Sequence, residues 1–169
     1  MVLLQWFWHM AELDFERLMA VYREGNRENA LDLYPDMPVE AAQRRAEQNF
    51  REYLQEDFFV NKGACYCVWE ESGQYLSALR LEPWQDGLLL EALETHPDFR
   101  KQGYAKKLIL AVQLELTGKR VYSHVSKKNK ASLATHQSCG FSIIRDFVRM
   151  LDGTVSSRSC TLLWEADSH

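Results

Sequence analysis

A glycine marks the junction between a strand-like segment and a helix-like segment of this chain. Residues 88–95 have the composition of a largely buried strand, and residues 104–117 repeat apolar side chains at helical spacing, so Gly103 directly precedes the helix. The first N–H groups of a helix have no partner within it, and a glycine lets a ligand approach them closely. The junction is therefore either a binding site for a phosphate or pyrophosphate group or an ordinary helix start with solvated lysines.

Charge is distributed unevenly around this junction. The 169 residues include 20 Lys and Arg against 24 Asp and Glu, a net charge of −4 that argues against a general nucleic-acid-binding surface. Residues 101–130 nevertheless carry eight basic side chains and a single acid, Glu115, so this segment is +7 and the remainder is −11. The basic segment favours a local site for an anionic small molecule.

Several classes of protein are disfavoured by the rest of the sequence. The apolar stretch at residues 2–10 is shorter than the ~18 residues of a membrane span and lacks the features of a signal peptide, so we expect a cytoplasmic protein without a membrane partner. The four cysteines (Cys65, Cys67, Cys139, Cys160) match neither a disulfide framework nor a zinc signature, and we expect buried thiols and no metal.

The periodicity of the chain predicts one domain, residues 1–169, of the α/β (α+β) class. A mixed, mostly antiparallel central sheet of about six to seven strands is expected, flanked by helices. A polar, acidic loop is expected at 26–37, after a helix that Gly25 closes. The predicted strands are 2–8, 64–69, 75–81, 88–95, 121–125 and a closing hairpin of 141–151 with 159–164 around Asp152-Gly153; the predicted helices are 12–24, one from Pro38, 104–117 and 129–139.

A second motif follows the strand at 121–125. It consists of Asn129, a short helix with Ala131, Ser132 and His136, and then Gly140-Phe141. Together with Arg100-Lys101-Gln102-Gly103-Tyr104-Ala105, it resembles the GNAT family of acyl-CoA-dependent N-acetyltransferases. The family's pyrophosphate motif is Arg/Gln-x-x-Gly-x-Gly/Ala, and the two motifs occur here in the family's order.

The resemblance implies that acetyl-CoA binds in a cleft between the strand ending near Thr95 and the strand 121–125. The pyrophosphate is expected on backbone N–H groups after the glycine, and Asn129 is expected to face the pantetheine. Lys127, Lys128 or Lys130 are candidates for the 3′-phosphate. The implied cofactor-binding residues are Leu93, Thr95, Arg100, Lys101, Gln102, Gly103, Tyr104, Ala105, Lys106 and Asn129.

Acetyl transfer to an amine requires a base, because an alkylamine is mostly protonated at neutral pH. Glu94 and His124 are equal candidates for the base. Glu91, three residues before Glu94 on the same strand, is expected on the opposite face of the sheet. A backbone N–H near Leu93 is the family-like donor to the oxyanion, and His96 is expected in a loop.

The departing thiolate benefits from a proton donor, which is usually a tyrosine of the short helix in the family. His136 occupies that position here, and Tyr122 on the neighbouring strand is the alternative. Acids of the predicted loop (Glu28, Asp32, Asp36) would favour a cationic acceptor. Two functions therefore stay open: an N-acetyltransferase that uses direct attack on acetyl-CoA by a primary amine of a small molecule or peptide, and a catalytically silent CoA-binding module. The sequence leaves the oligomeric state open.

Overall fold

The computed structural model describes residues 3–166. Its main feature is a seven-stranded sheet in the order β1-β2-β3-β4-β5-β9-β6, in which every neighbouring pair is antiparallel except β4 and β5. The mixed, mostly antiparallel sheet predicted from the sequence is confirmed. Its strands are β1 Leu4–Phe7, β2 Cys65–Glu71, β3 Gln74–Trp84, β4 Gly87–Thr95, β5 Arg120–Ser126, β6 Ser142–Arg145 and β9 Ser159–Glu165. Val2, the first residue of the strand predicted at 2–8, lies outside the described residues.

Five α-helices cover the two faces of this sheet. They are α1 Phe15–Val21, α2 Arg23–Leu33, α3 Val39–Tyr53, α4 Tyr104–Glu115 and α5 Lys130–Ser138. On one face, Leu108 of α4 packs in a buried cluster with Leu79 and Leu162 of the sheet. On the other face, Tyr22 and Phe58 pack against Tyr66. Burial of these side chains on both faces supplies most of the driving force for folding.

The acidic segment predicted as a loop at 26–37 is mostly helical, and that prediction is wrong. Gly25, expected to end the preceding helix, lies inside α2. Ala30 of α2 packs against Ala42 and Ala46 of α3, and all three are buried. Small side chains let the two helices approach closely, so tertiary packing stabilises a helix whose remaining sequence is polar.

The predicted closing hairpin is correct in part. β6 pairs with β9 as expected, but a separate two-stranded sheet interrupts the segment, formed by β7 (Val148–Arg149) and β8 (Val155–Ser156). The turn at Asp152-Gly153 connects β7 to β8 and not to β9. Asp152 accepts a hydrogen bond from the backbone N–H of Thr154 at 2.9 Å, which stabilises this turn.

The parallel pair β4–β5 is the feature that positions the candidate site. Only three residue pairs connect the two strands, namely Leu88 with Val121, Leu89 with Tyr122 and Leu90 with Ser123. Both strands continue beyond these pairs, β4 to Thr95 and β5 to Ser126. The two strands therefore separate in the middle of the sheet.

Candidate active site

A β-bulge lies in β4 where this strand leaves β5. Glu91 pairs with Arg80 of β3 and Glu94 pairs with Ala78, so Ala92 and Leu93 together lie opposite Leu79. Ala92 has a positive φ of 55°, and a bulge of this kind adds one residue to one strand. Because of this extra residue, Glu91 and Glu94 point to the same face of the sheet. Their predicted placement on opposite faces is wrong.

Tyr22 lies at the C-terminal end of α1 and contacts the bulge from the face of the sheet that α1, α2 and α3 cover, here called the α1–α3 side. Its hydroxyl donates a hydrogen bond of 2.5 Å to the backbone carbonyl of Ala92 and accepts one of 2.8 Å from the hydroxyl of Tyr66. Both tyrosines are buried, and burial raises the pKa of both phenols. The neutral phenols therefore persist as donors at physiological pH.

The larger of two cavities at this position has a volume of about 390 Å³ and extends from the end of β4 to the start of α4 and α5. It brings together nine of the ten residues that the sequence assigned to a cofactor. Gln102 belongs to the same loop but does not line the cavity, and neither do Lys127, Lys128 and Lys130. The lining residues are Leu93, Glu94, Thr95, Arg100, Lys101, Gly103, Tyr104, Ala105, Lys106, Asn129, Ala131, Ser132 and Thr135.

The loop before α4 contains two residues in the left-handed region of backbone conformation. Lys101 and Gly103 have positive φ values of 62° and 82°, and Gly103 is the N-cap of α4. The first N–H bonded within the helix is that of Lys107, which donates to the carbonyl of Gly103. The N–H groups of Tyr104 and Ala105 therefore have no acceptor within the helix, and they are available to an anion at its positive end.

Two motif side chains have partners within the protein. Asn129 caps α5, and its Oδ1 accepts a hydrogen bond of 3.0 Å from the N–H of Ser132, which leaves the Nδ2 group as a donor toward the cavities. Arg100 lies at the edge of the larger cavity. Its guanidinium pairs with Glu24 of α2 and with Glu94, where the distance is 3.3 Å. Arg100 thus connects the loop before α4 to the opposite face of the sheet.

The second cavity, of about 160 Å³, fills the space where β4 and β5 separate. It shares Leu93, Asn129 and Ser132 with the larger cavity, so the two adjoin. Its other lining residues are Leu90, Glu91, Ala92, Ser123, His124, Val125, Ser126 and His136. Two of the three predicted catalytic residues, His124 and His136, lie here, whereas Glu94 lines the larger cavity.

The carboxyl group of Glu91 is partly buried beside Arg80 and Glu82. Burial raises its pKa to about 7, and neighbouring Glu82 acts in the same direction, while Arg80 opposes the shift. The guanidinium of Arg80 lies 3.9 Å from the Glu91 carboxylate. The guanidinium also lies 5.2 to 5.9 Å from the centroids of four aromatic rings, those of Phe50, Tyr53, Phe58 and Tyr66.

His124 lies on the same face of the sheet as Glu91, since it follows Tyr122 by two residues on β5. Its ring makes an edge-to-face contact with Trp84 at 5.1 Å. Its Nε2 is buried with no hydrogen-bond partner among the described residues. Burial lowers the pKa of His124, so the neutral imidazole predominates at neutral pH.

His136 is buried, with both ring nitrogens bonded. Nδ1 lies 2.8 Å from the carbonyl oxygen of Ser132, and Nε2 lies 2.9 Å from Oγ of Ser123 on β5. A carbonyl can only accept, which places the proton of the neutral ring on Nδ1 and makes Nε2 the acceptor of the Ser123 hydroxyl proton. Burial lowers the pKa of His136, so this neutral form is the resting one.

The remaining candidates lie apart from these cavities. Tyr122 donates a hydrogen bond of 2.6 Å to Asp86, and His96 accepts one of 3.1 Å from the N–H of Asp98. Neither residue lines either cavity, and Glu28, Asp32 and Asp36 line neither as well. Glu94, by contrast, lines the larger cavity and pairs with Arg100. Burial raises the pKa of Glu94, and the charge of Arg100 opposes this change.

Sequence reasoning missed Tyr22, Arg80 and Ser123. Arg80 has a usable signal, because it is the one charged residue in the segment 75–81. The contact of Ser123 with His136 has no such signal, since it depends on the position of α5 across the sheet.

Two features are absent from residues 3–166. No helix in this range is long and apolar enough to cross a membrane. No group of three or more His, Cys, Asp or Glu in the same range is arranged to hold a metal ion.

Comparison with known proteins gives a family and a fold. The model of the acetyltransferase (GNAT) family matches residues 24–141. No curated protein matches the chain significantly. Among solved structures, PaiA N-acetyltransferase from Thermoplasma acidophilum in complex with coenzyme A is 14% identical, with 97% of this chain and 99% of that chain covered and a TM-score of 0.63.

Two other solved structures have a similar fold. RimL, a ribosomal L7/L12 alpha-N-protein acetyltransferase in complex with coenzyme A, is 10% identical over 100% of this chain and 97% of that chain, with a TM-score of 0.64. Aminoglycoside 6′-acetyltransferase type Ii is 12% identical over 97% of both chains, with a TM-score of 0.63. The family model spans most of the chain, including both motifs and the separated strands; this chain belongs to the GNAT family of acetyltransferases.

Proposed function

We propose that this protein transfers an acetyl group from acetyl-CoA to a primary amine by direct attack in a ternary complex. The observation that carries the proposal is the pair of adjoining cavities, one leading to the free N–H groups of α4 and the other opening between β4 and β5. In this arrangement the pyrophosphate of acetyl-CoA binds the N–H groups of residues 101–105. The acetyl group then lies near Leu93, whose backbone N–H is the proposed donor to the oxyanion.

The acceptor amine approaches from the α1–α3 side of the sheet. Glu91 and Glu94 both point to this side, and their charge favours a cationic substrate such as a protonated amine. The acids of 26–37 do not line the cavities and are not needed for this preference. Relatives of similar fold include proteins described as acting on a ribosomal protein and on an aminoglycoside, so peptide termini and small-molecule amines are both proper substrates to test.

The base that neutralises the amine is best assigned to Glu91 or His124. Both line the cavity between the separated strands, and both titrate in a range that leaves them unprotonated near or above neutral pH. Glu94 is a weaker candidate for this role, because its carboxylate already pairs with Arg100. Arg100 and Glu94 together are better suited to shaping the boundary between the cofactor and the acceptor.

The alternative function is a CoA-binding module without turnover. It is favoured by His136, which replaces the family's usual tyrosine and has both ring nitrogens bonded inside the protein. It predicts binding of acetyl-CoA without transfer to any amine.

One experiment separates the two functions. Calorimetry measures the binding of acetyl-CoA, and release of free CoA thiol is followed across a panel of peptide N-termini, polyamines and aminoglycosides. Binding with amine-dependent thiol release supports the transferase, and binding without release on any amine supports the module. Absence of acetyl-CoA binding contradicts both.

A further inference from the structure

Ser123, His136 and the carbonyl of Ser132 form a connected chain of hydrogen bonds that ends in the wall of the smaller cavity. The distances are 2.9 Å from Oγ of Ser123 to Nε2 of His136 and 2.8 Å from Nδ1 of His136 to the carbonyl oxygen. The side chains come from β5 and α5, and Ser123 is 2% exposed and His136 1% exposed. In this arrangement the hydroxyl donates its proton to a neutral imidazole, and a third group orients the imidazole. Proteins activate serine hydroxyls in this way.

These hydrogen-bonded groups are buried, but they reach the surface of the smaller cavity. Ser123 and His136 both line the cavity in which the acetyl group is proposed to react, together with Leu93 and Glu91. Ser123 also belongs to the last residue pair before β4 and β5 separate, where it lies opposite Leu90. Its hydroxyl is therefore fixed at the closed end of this gap.

We propose that Ser123 and His136 form a proton shuttle, in which the Ser123 hydroxyl carries the proton of the attacking amine to His136 and then returns it to the departing sulfur. This inference rests on the proposed acetyltransferase function and assigns a residue that the motifs do not include. Ser123 is the catalytic residue, because its hydroxyl would touch the reacting atoms. His136 is a positioning residue that acts only through Ser123.

The proton balance closes within one turnover. When the neutral amine attacks the thioester carbon, a C–N bond forms, and the nitrogen of the tetrahedral adduct carries one proton too many. That proton passes to Oγ of Ser123 while the original hydroxyl proton passes to Nε2 of His136. As the C–S bond breaks, Nε2 returns its proton to Oγ and the hydroxyl proton goes to the thiolate, giving the amide, free CoA thiol and the resting shuttle.

A single hydroxyl can serve both transfers. The nitrogen and the sulfur are bonded to the same carbon of the adduct, so one group beside that carbon reaches both. The proton that the free ammonium loses before the attack is a different one, and Glu91 or His124 accepts it. The shuttle thus explains how a buried histidine can replace a tyrosine without touching the sulfur.

The test uses the full-length protein and the best amine from the panel. Ser123→Ala removes the hydroxyl, and His136→Gln keeps a hydrogen-bonding group beside Ser123 that cannot take up a proton. Ser138→Ala is the matched control. Ser138 lies on the same helix, is exposed and donates a hydrogen bond to the backbone carbonyl of Thr135. Measured quantities are kcat, the acetyl-CoA dissociation constant and the solvent deuterium isotope effect on single-turnover transfer.

Each of the two variants should lose about 10²-fold in kcat with an unchanged acetyl-CoA dissociation constant, which is the usual size of a lost proton-transfer step. The double variant should be no slower than the slower single variant, because the two residues act as a unit. The solvent isotope effect should change in both variants and not in Ser138→Ala. Wild-type kcat in either variant, or losses that multiply in the double variant, would overturn the shuttle.

A second measurement does not depend on turnover or on a folded variant. Nitrogen NMR of the ¹⁵N-histidine-labelled wild-type protein should show His136 neutral, with its proton on Nδ1. The opposite tautomer overturns the shuttle even if amines are acetylated. If acetyl-CoA binds and no amine is acetylated, the proposed function fails and the shuttle fails with it, whereas transfer that is insensitive to Ser123→Ala removes only the shuttle.

Discussion

Tyr22 donates a hydrogen bond of 2.5 Å to the carbonyl of Ala92, 70 residues away in sequence. The bond ties the end of α1 to the bulge that sets the direction of both glutamates on β4. Tyr22→Phe should lower the free energy of unfolding by about 1 to 2 kcal/mol, because a buried carbonyl and the Tyr66 hydroxyl each lose a partner. It should also lower kcat, which the thiol-release assay measures.

The control for this change is Tyr75→Phe. Tyr75 is also buried, but its hydroxyl accepts from the N–H of Asp14 and does not contact the bulge. Tyr75→Phe should retain kcat, and an equal loss of kcat in both variants would contradict a special role for the bulge contact.

The raised pKa of Glu91 predicts that kcat/KM depends on pH, with a rising limb in its pH profile. The carboxylate accepts a proton only when ionised, so kcat/KM should rise as the pH increases through about 7 and then level off. Glu91→Gln should slow transfer and remove this limb. Glu165→Gln, a surface change beside Arg120, is the control and should keep it. A limb that persists unchanged in Glu91→Gln would assign the base to His124 or Glu94.

Arg80 should affect the position of the same limb in the pH profile of kcat/KM. Its charge lowers the pKa of Glu91, so Arg80→Met should raise that pKa and move the limb to a pH above about 7. Arg80→Lys retains the charge and should leave the limb nearer its original position. The pH profile of kcat/KM measures both variants, and an unmoved limb in Arg80→Met would show that Arg80 does not act on the base.

Gly103 is expected to matter through its backbone conformation. A Cβ at this position would meet no atom within 4 Å, but a φ of 82° is unfavourable for other residues. Gly103→Ala should therefore cost about 1 to 2 kcal/mol of conformational energy in the loop and weaken acetyl-CoA binding, measured by calorimetry.

Gly73 provides the matched control for this change. It lies in the turn between β2 and β3 with a φ of 75° and equally open surroundings. Gly73→Ala should show a similar loss of stability with no change in affinity. If both variants bind acetyl-CoA as the wild type does, the α4 loop is not the pyrophosphate site.

Asn129 has two separable roles. Asn129→Asp keeps an oxygen that caps α5 but removes the amide donor, so the free energy of unfolding should be retained while acetyl-CoA affinity falls. Asn129→Ala should lose both, with about 1 kcal/mol of stability. Asp14→Ala removes the cap of α1 and should reduce stability alone. Unchanged affinity in Asn129→Asp would limit Asn129 to its structural role.

The sequence predicted the sheet well because strands depend on local signals. Alternating apolar residues indicate strands, and a glycine before a helical pattern indicates where a helix begins, so the start of α4 after Gly103 could be placed from spacing. The assignment of Leu93 and Asn129 to a cofactor came from the resemblance to the family, and both residues line the larger cavity.

The chemistry-bearing side chains were harder to predict because they depend on irregular backbone and on tertiary contacts. The extra residue at Ala92 reverses the expected direction of Glu91 relative to Glu94, and simple alternation contains no sign of it. The contact of His136 with Ser123 joins a helix to a strand 13 residues away. The helix at Arg23–Leu33 depends on Ala30 packing against α3, while its own sequence is mostly polar.

The early end of pairing between β4 and β5 affects which amino-acid substitutions this part of the protein can tolerate. If an extended ligand occupies the gap beyond Leu90 and Ser123, it is recognised largely by main-chain groups, which nearly every amino acid supplies alike. Side chains along the gap can then be exchanged without changing what the gap holds. A protein with only 10% of its residues identical to those of this chain has a similar fold.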